Sequence, residues 1–232
     1  MVAPREARYA GKTSWEDRTI MLLAILSDIH ANREAFEAVL AAARTAGASR
    51  FALLGDTVGY GADPEWCTDQ AMRLAAEGAI VLRGNHDDAV GNSSVSMNAT
   101  AMLAIDWTRR QLGSDARAFL AARPLQVRNG DCLFVHADAS APADWNYVRD
   151  ADDAGRHLAG CTARVSFCGH IHRPAIYCTA PGGKVTHFRP VSPVPVPLLS
   201  QRRWLAVMGA VGQPRDGNPA AAFALYDTES AE

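Results

Sequence analysis

Between residues 21 and 82, short apolar runs alternate with stretches of helical periodicity, and this alternation restricts the chain to α/β architectures more tightly than any other feature it carries. Residues 21–26 (MLLAIL) read as a buried strand. Residues 33–46 then place Phe36, Val39 and Leu40 at helical spacing, and residues 51–54 return to a strand pattern. Asp63-Pro64-Glu65 supplies an N-cap followed by proline at the first helical position, which opens a helix to about Glu77, and residues 79–82 form a third apolar run. Strand, helix, strand, helix, strand at this spacing predicts βαβ units and a parallel sheet.

The remainder changes character. Residues 99–112 and 114–122 are helical in pattern, whereas 125–127 and 132–135 read as strands paired across an Asn129-Gly130 turn. Residues 165–168, 175–178, 184–188, 204–208 and 222–226 are strand-like runs broken by glycine and proline, which predicts a second sheet. Proline at four of the eight positions of 190–197 excludes a central strand and predicts an extended connector. The expected fold class is therefore α/β, a four-layer αββα sandwich with two mixed β-sheets packed face to face and helices outside. A hydrophobic share of 48% is enough to fill such a core in a single domain over residues 21–232. Residues 1–20 are polar and aperiodic and are expected to be a dispensable tail.

Composition removes several functional classes. A formal charge of -2, from 23 basic and 25 acidic residues, gives no global positive field for nucleic acid and leaves room only for a local patch. No apolar run approaches the ~18 residues of a membrane span. Cys67, Cys132, Cys161, Cys168 and Cys178 form no CxxC pair, which fits reduced thiols and a cytoplasmic address.

The informative residues are the histidines. His30, His86, His136, His170 and His172 fall just beyond apolar strand runs, most with Asp, Asn or Gly beside them. In an open α/β sheet, ligands bind in the crevice outside the carboxyl ends of the strands, so these residues are expected to converge. A lone Asp-x-His or Gly-Asp is common by accident; five blocks in order are not. Aspartate oxygens with neutral imidazoles suit Mn, Fe, Zn, Ni or Co rather than an all-oxygen site for Mg or Ca.

The blocks Asp28-Ile29-His30, Gly55-Asp56, Gly84-Asn85-His86-Asp87, His136 and Gly169-His170-Ile171-His172 together resemble the calcineurin-like metallophosphoesterases, whose pattern is DxH, GD, GNH(D/E), H and GHxH. Segments 27–32 (SDIHAN), 58–61 (VGYG), 105–108 (IDWT) and 211–217 (VGQPRDG) look like those of small bacterial phosphodiesterases. The resemblance implies two divalent transition metal ions, manganese first among them. It implies Asp28, His30 and His172 on one ion, Asn85, His136 and His170 on the other, and Asp56 bridging both. An extended backbone through His170-x-His172 and Asp28-x-His30 is expected to turn the paired side chains to one side. It further implies His86 as the catalytic acid facing the scissile phosphate, with Asp87 as its orienting carboxylate.

Departures narrow the reading. Protein serine/threonine phosphatases read GDxVDRG, and their phosphate-gripping arginine is replaced by Tyr60; purple acid phosphatases need a tyrosine where Gly59 stands. Ala31 and Ala137 stand where glycine is usual, which implies backbone strain if positive φ is required there. His157 and His187 match nothing and are expected at the surface or in packing, Trp107 in the core, and Asp150, Asp152 and Asp153 at a helix N-terminus. The resulting expectation is a phosphoesterase, most of all a phosphodiesterase, that hydrolyses a small phosphate ester by attack of a dinuclear-metal-bound hydroxide. Specificity is expected from segments 88–98, 137–149 and 211–217, with Trp145 and Tyr147. The alternative is a turnover-deficient scaffold of the same fold, which is expected to have lost ligands or the acid histidine; none is missing.

Overall fold

The computed structural model describes residues 22–180 and 182–230, so the expectation about residues 1–20 lies outside the described residues. The first half runs β1 (Leu22–Leu26), α1 (Arg33–Thr45), β2 (Arg50–Leu53), α2 (Pro64–Ala76), β3 (Ile80–Val81), α3 (Asn85–Gly91), α4 (Ala99–Gln111) and α5 (Ser114–Ala121). The second half runs β4 (Gln126–Asn129), β5 (Cys132–Val135), α6 (Ala151–Ala159), β6 (Val165–Cys168), β7 (Ala175–Thr179), β8 (Val185–Phe188), β9 (Trp204–Val207) and β10 (Ala224–Asp227).

Two sheets result, in the orders β10-β1-β2-β3 and β4-β5-β6-β9-β7-β8. β1, β2 and β3 are parallel, as the βαβ pattern requires, and β5, β6 and β9 form the parallel centre of the larger sheet. Side-chain alternation sorts the layers. Leu23 and Ile25 of β1 face Phe134, Phe167 and Trp204 of the other sheet, whereas Ala24 and Leu26 pack under Phe36 and Leu40 of α1. Leu133, Val135 and Val207 cover the far face of the larger sheet beneath Ala154 and Leu158 of α6. The order is helix, sheet, sheet, helix.

One strand falls elsewhere than expected. The run over 222–226 belongs to the first sheet, where β10 pairs antiparallel with β1 and closes an otherwise open edge. Its alternation fits that place, with Ala224 and Tyr226 turned to the inter-sheet core and Leu225 to the α1 side. Trp107 is half-buried on α4 and stands outside the core clusters.

His157 of α6 is a buried fastener for the loop beyond β5. Its Nδ1 accepts from the Ala139 amide at 3.1 Å, so the neutral ring carries its proton on Nε2, which stands 3.1 Å from Ser166 Oγ. Arg156 beside it grips Asp138 at 2.6 Å. Burial pushes His157 down to about 4, because a second ring proton would face the Ala139 N–H. The unfolded chain, with its histidine near pKa ~6.5, then takes up a proton that the native state refuses, and stability falls as pH drops below that value. Between pH 7 and 5 this one group is expected to cost about 2 kcal/mol. Urea unfolding of the native chain and of His157→Gln at both pH values checks it: the variant should lose about that much less, and equal losses would remove His157 as the cause.

Candidate metal centre

Five strand ends deliver the site. Asp28 and His30 follow β1, Asp56 follows β2, Asn85 and His86 open α3 beyond β3, His136 follows β5, and His170 and His172 follow β6. All are buried. The backbone there is not extended, contrary to expectation: Asp28 (φ 56°), His30 (φ 50°), Asp56 (φ 53°), His170 (φ 69°) and His172 (φ 59°) all lie in the left-handed region. Left-handed residues just past a strand curl the chain back around a point, and that aims both side chains of a DxH or HxH block inward. Each such non-glycine residue costs about 1–2 kcal/mol, which the surrounding loops must offset. They do so by cross-bracing: the Asp28 amide donates to Gly55 O, that of His30 to Asp56 O, and that of Gly212 to Asp28 O. Ala31 shares the conformation (φ 53°), so the strain expected of an alanine at a glycine position is present there, while Ala137 does not.

The donor atoms form two groups that meet at Asp56. His30 Nε2, His172 Nε2 and Asp28 Oδ1 lie together, at 3.1 Å between the two rings and 3.2 Å from His172 to Asp28. His136 Nε2 lies 3.2 Å from His170 Nδ1 and 3.3 Å from Asn85 Oδ1. One oxygen, Asp56 Oδ2, serves both groups, 3.7 Å from His30 Nε2 and 3.4 Å from His136 Nε2. Its partner Oδ1 accepts from the His86 amide at 2.8 Å.

The donor set fits cations. His30 Nδ1 donates to Val58 O, His136 Nδ1 to Leu54 O, His172 Nδ1 to Gln213 O and His170 Nε2 to Trp145 O. That fixes each neutral ring's proton on the outer nitrogen and leaves a lone pair on the inner one, the arrangement found in metal-ligating histidines. Two bare lone pairs at 3.1 Å, as on His30 and His172, repel unless a positive charge lies between them. Asp28 Oδ1 is likewise buried without a hydrogen-bond donor. Burial pushes His30 and His170 down to about 3, so both are neutral at physiological pH and able to offer a lone pair. Burial also disfavours charge on His136, but the touching Asp56 carboxylate outweighs it and lifts that ring to about 9.

His86 sits apart from this pairing. Its ring packs against Tyr60 at 4.6 Å and His30 at 4.8 Å, and its Nδ1 is sealed without a hydrogen-bond partner. Gly59 makes room: at φ 93° a Cβ there would stand 2.3 Å from His86 Nδ1. Gly59→Ala is therefore expected to displace the ring and lower kcat about 10²-fold while metal content stays the same, which kinetics and elemental analysis together check. Asp87 does not touch the His86 ring. Its carboxylate accepts from the amides of Val58 and Gly84, clamping the loop after β2 to the start of α3.

The site opens into a cavity of about 360 Å³, to which Ser96 and Asn98, Trp145 and Tyr147, and Arg215 contribute from the three segments expected to shape specificity. Tyr147 stacks on His170 at 4.1 Å, and Trp145, left-handed at φ 56°, turns its carbonyl to the same ring. Trp145 and Tyr147 were legible as aromatics of a specificity segment, whereas the backbone carbonyls of Leu54, Val58, Trp145 and Gln213 that anchor the rings carry no residue-type signal.

A family model described as the calcineurin-like phosphoesterase superfamily domain matches residues 21–231. An uncharacterized protein of Methanocaldococcus jannaschii, MJ0912, is 31% identical over 214 residues, covering 89% of this chain and 82% of that protein. The crystal structure of a metallophosphoesterase from Sphaerobacter thermophilus superposes with a TM-score of 0.80 at 33% identity, over 92% of this chain and 86% of that one. A hypothetical protein from Pyrococcus horikoshii, PH1004, shares the fold at a TM-score of 0.72 and 17% identity, with the same two coverages of 92% and 86%. The chain thus belongs to the calcineurin-like phosphoesterase superfamily, and it is a metal-dependent hydrolase of phosphoric ester bonds.

Proposed function

We propose that the chain is a phosphodiesterase working with two divalent transition ions, manganese first among Mn, Fe, Zn, Ni and Co, on a small phosphate ester in the cytoplasm. The observation that carries the dinuclear reading is the single oxygen Asp56 Oδ2 shared by two donor groups. Diester preference rests on the likeness of segments 27–32, 58–61 and 211–217 to small bacterial phosphodiesterases. The cytoplasmic address rests on five free cysteines, and no helix among the described residues is long and apolar enough to cross a membrane.

Bound ions would supply Lewis-acid neutralisation of the phosphoryl oxygens and a water acid enough to attack at neutral pH. The chain's own residues do the rest. Asp28 and Asp56 are the only carboxylates in the two ligand groups, so two dications leave a net positive site that favours a phosphate anion. His86, with Nδ1 sealed against Gly59, presents Nε2 to the cavity and donates its proton to the leaving oxygen. Burial lowers its affinity for that proton, and an anionic phosphate at its face raises it again. Asp87 positions rather than reacts, by holding the His86 backbone against the β2 loop.

The test is turnover of bis(p-nitrophenyl) phosphate by protein stripped with a chelator and titrated with Mn²⁺. Activity should vanish on stripping and return with about two ions per chain. Turnover that survives stripping, or saturates at one ion, would overturn the dinuclear reading.

A further inference from the structure

Beside the metal centre lies a second cavity of about 460 Å³ that the chemistry above does not use. It opens between the segment before α6, the turn into β7 and the end of β8, and it adjoins the metal-centre cavity, with Tyr147 and Arg215 lining both. Its charge is one-sided. Arg149, Arg173, Arg189 and Arg215 line it, and no carboxylate does among the described residues. In a chain of formal charge -2, this is a concentrated local patch.

Nearby acids are committed elsewhere. Asp216 pairs with Arg189 at 3.4 Å, Asp150 accepts from the first amides of α6, and Asp153 is held by the Arg149 amide and the Arg156 guanidinium. Among the described residues Arg149, Arg173 and Arg215 have no carboxylate partner. They are nevertheless placed: Arg149 lies 4.6 Å from the centre of the Tyr147 ring, Arg173 Nε donates to the Arg215 carbonyl at 3.0 Å, and Gln213 holds the Arg215 guanidinium at 2.6 Å. Arg215 also lies 6.0 Å from the centre of the Tyr60 ring, at the junction of the two cavities. Phe188 keeps 42% of its surface exposed at the rim.

Guanidinium forks match phosphate oxygens in pairs, and an exposed aromatic face offers a planar group something to stack on. A cavity of this volume is in the range that holds a small ligand. We propose that the groove takes the distal half of the substrate, a second phosphate joined to a planar aromatic group, so that the preferred substrates are nucleotide-like esters that reach from the metal centre past Arg215. The proposal rests on the phosphoesterase reading, because it makes the metal centre the seat of the scissile phosphate.

Calorimetric titration of the manganese-loaded chain with ADP and with inorganic phosphate tests it. Phosphate fills one anion site at a time, at the metal centre or against the arginines, whereas ADP can span both cavities. ADP should bind at least about tenfold tighter than phosphate, the scale of one or two charge-assisted contacts. The double variant Arg149→Ala/Arg173→Ala should bring that ratio to within about twofold, and its unchanged manganese content shows that the metal centre is intact. Equal affinities in the native chain, or a ratio that survives the double substitution, would overturn the proposal. Turnover of bis(p-nitrophenyl) phosphate by the same samples is a separate readout: its absence counts against the phosphoesterase reading, while the titration decides the groove in either case.

Discussion

Asp56→Asn is expected to leave at most one ion bound per chain and to reduce kcat/KM by about 10³-fold or more. The reason is geometric. Asp56 Oδ2 lies 3.7 Å from His30 Nε2 and 3.4 Å from His136 Nε2, so a change at that oxygen is felt by both donor groups at once. Asparagine keeps the shape but removes a full negative charge from a buried centre, and it can place an N–H₂ where the shared lone pairs stood. If the carboxamide turns its oxygen inward to keep that contact, its nitrogen faces the His86 amide, donor against donor, where Oδ1 now accepts at 2.8 Å. Either orientation breaks one of the two jobs. Several kcal/mol of transition-state stabilisation attributed to a metal pair correspond to the rate loss stated. Elemental analysis beside kinetics checks it, and an Asp56→Asn protein with two ions and ordinary turnover would overturn the shared-oxygen assignment.

How far the site could be read from the sequence depends on which atoms make it. The ligand types were legible because strand ends converge in an α/β sheet and because an imidazole or carboxylate announces its chemistry by residue type. The layers were legible from the alternation of apolar runs with period-3.6 patterns, but the run over residues 21–26 is apolar throughout, so only the fold separates Leu23 and Ile25, which face the other sheet, from Ala24 and Leu26, which face α1. The conformation of the ligand loops was not. Asp28-x-His30 and His170-x-His172 look like extended strand continuations, yet both end residues of each are left-handed, because closing a pocket needs the chain to curl and no propensity of Asp or His encodes that strongly. Asp87 shows a second limit. A carboxylate adjacent in sequence to a catalytic ring invites pairing, but Asp87 sits on the first turn of α3, where backbone amides of Gly84 and Val58 are closer partners than the ring. β10 shows a third, since strand patterns give no address and only the open edge of β1 decided which sheet it joined.

His86→Ala is expected to keep both ions and lose about 10²- to 10⁴-fold in kcat, the range for removing a general acid. Metal content is the first readout, because His86 stands close enough to His30 and Asp56 to form a third possible donor group with them. Its surroundings argue against ligation. The histidines of the two ligand groups each donate an outer N–H to a backbone carbonyl, whereas His86 Nδ1 has no such partner and is sealed against Gly59. A ring without that anchor is held by packing alone, between Tyr60 and His30, and is free to gain and lose its proton on the cavity side. The second readout is the leaving group. A p-nitrophenolate departs without needing a proton, so the variant should lose least on bis(p-nitrophenyl) phosphate and most on a diester whose alkoxide must be protonated as it leaves. Loss of an ion in His86→Ala would make this residue a ligand, and equal losses for the two leaving groups would assign it to phosphate binding; either result removes it as the acid. An unequal loss with both ions retained leaves proton delivery as the step that His86 serves.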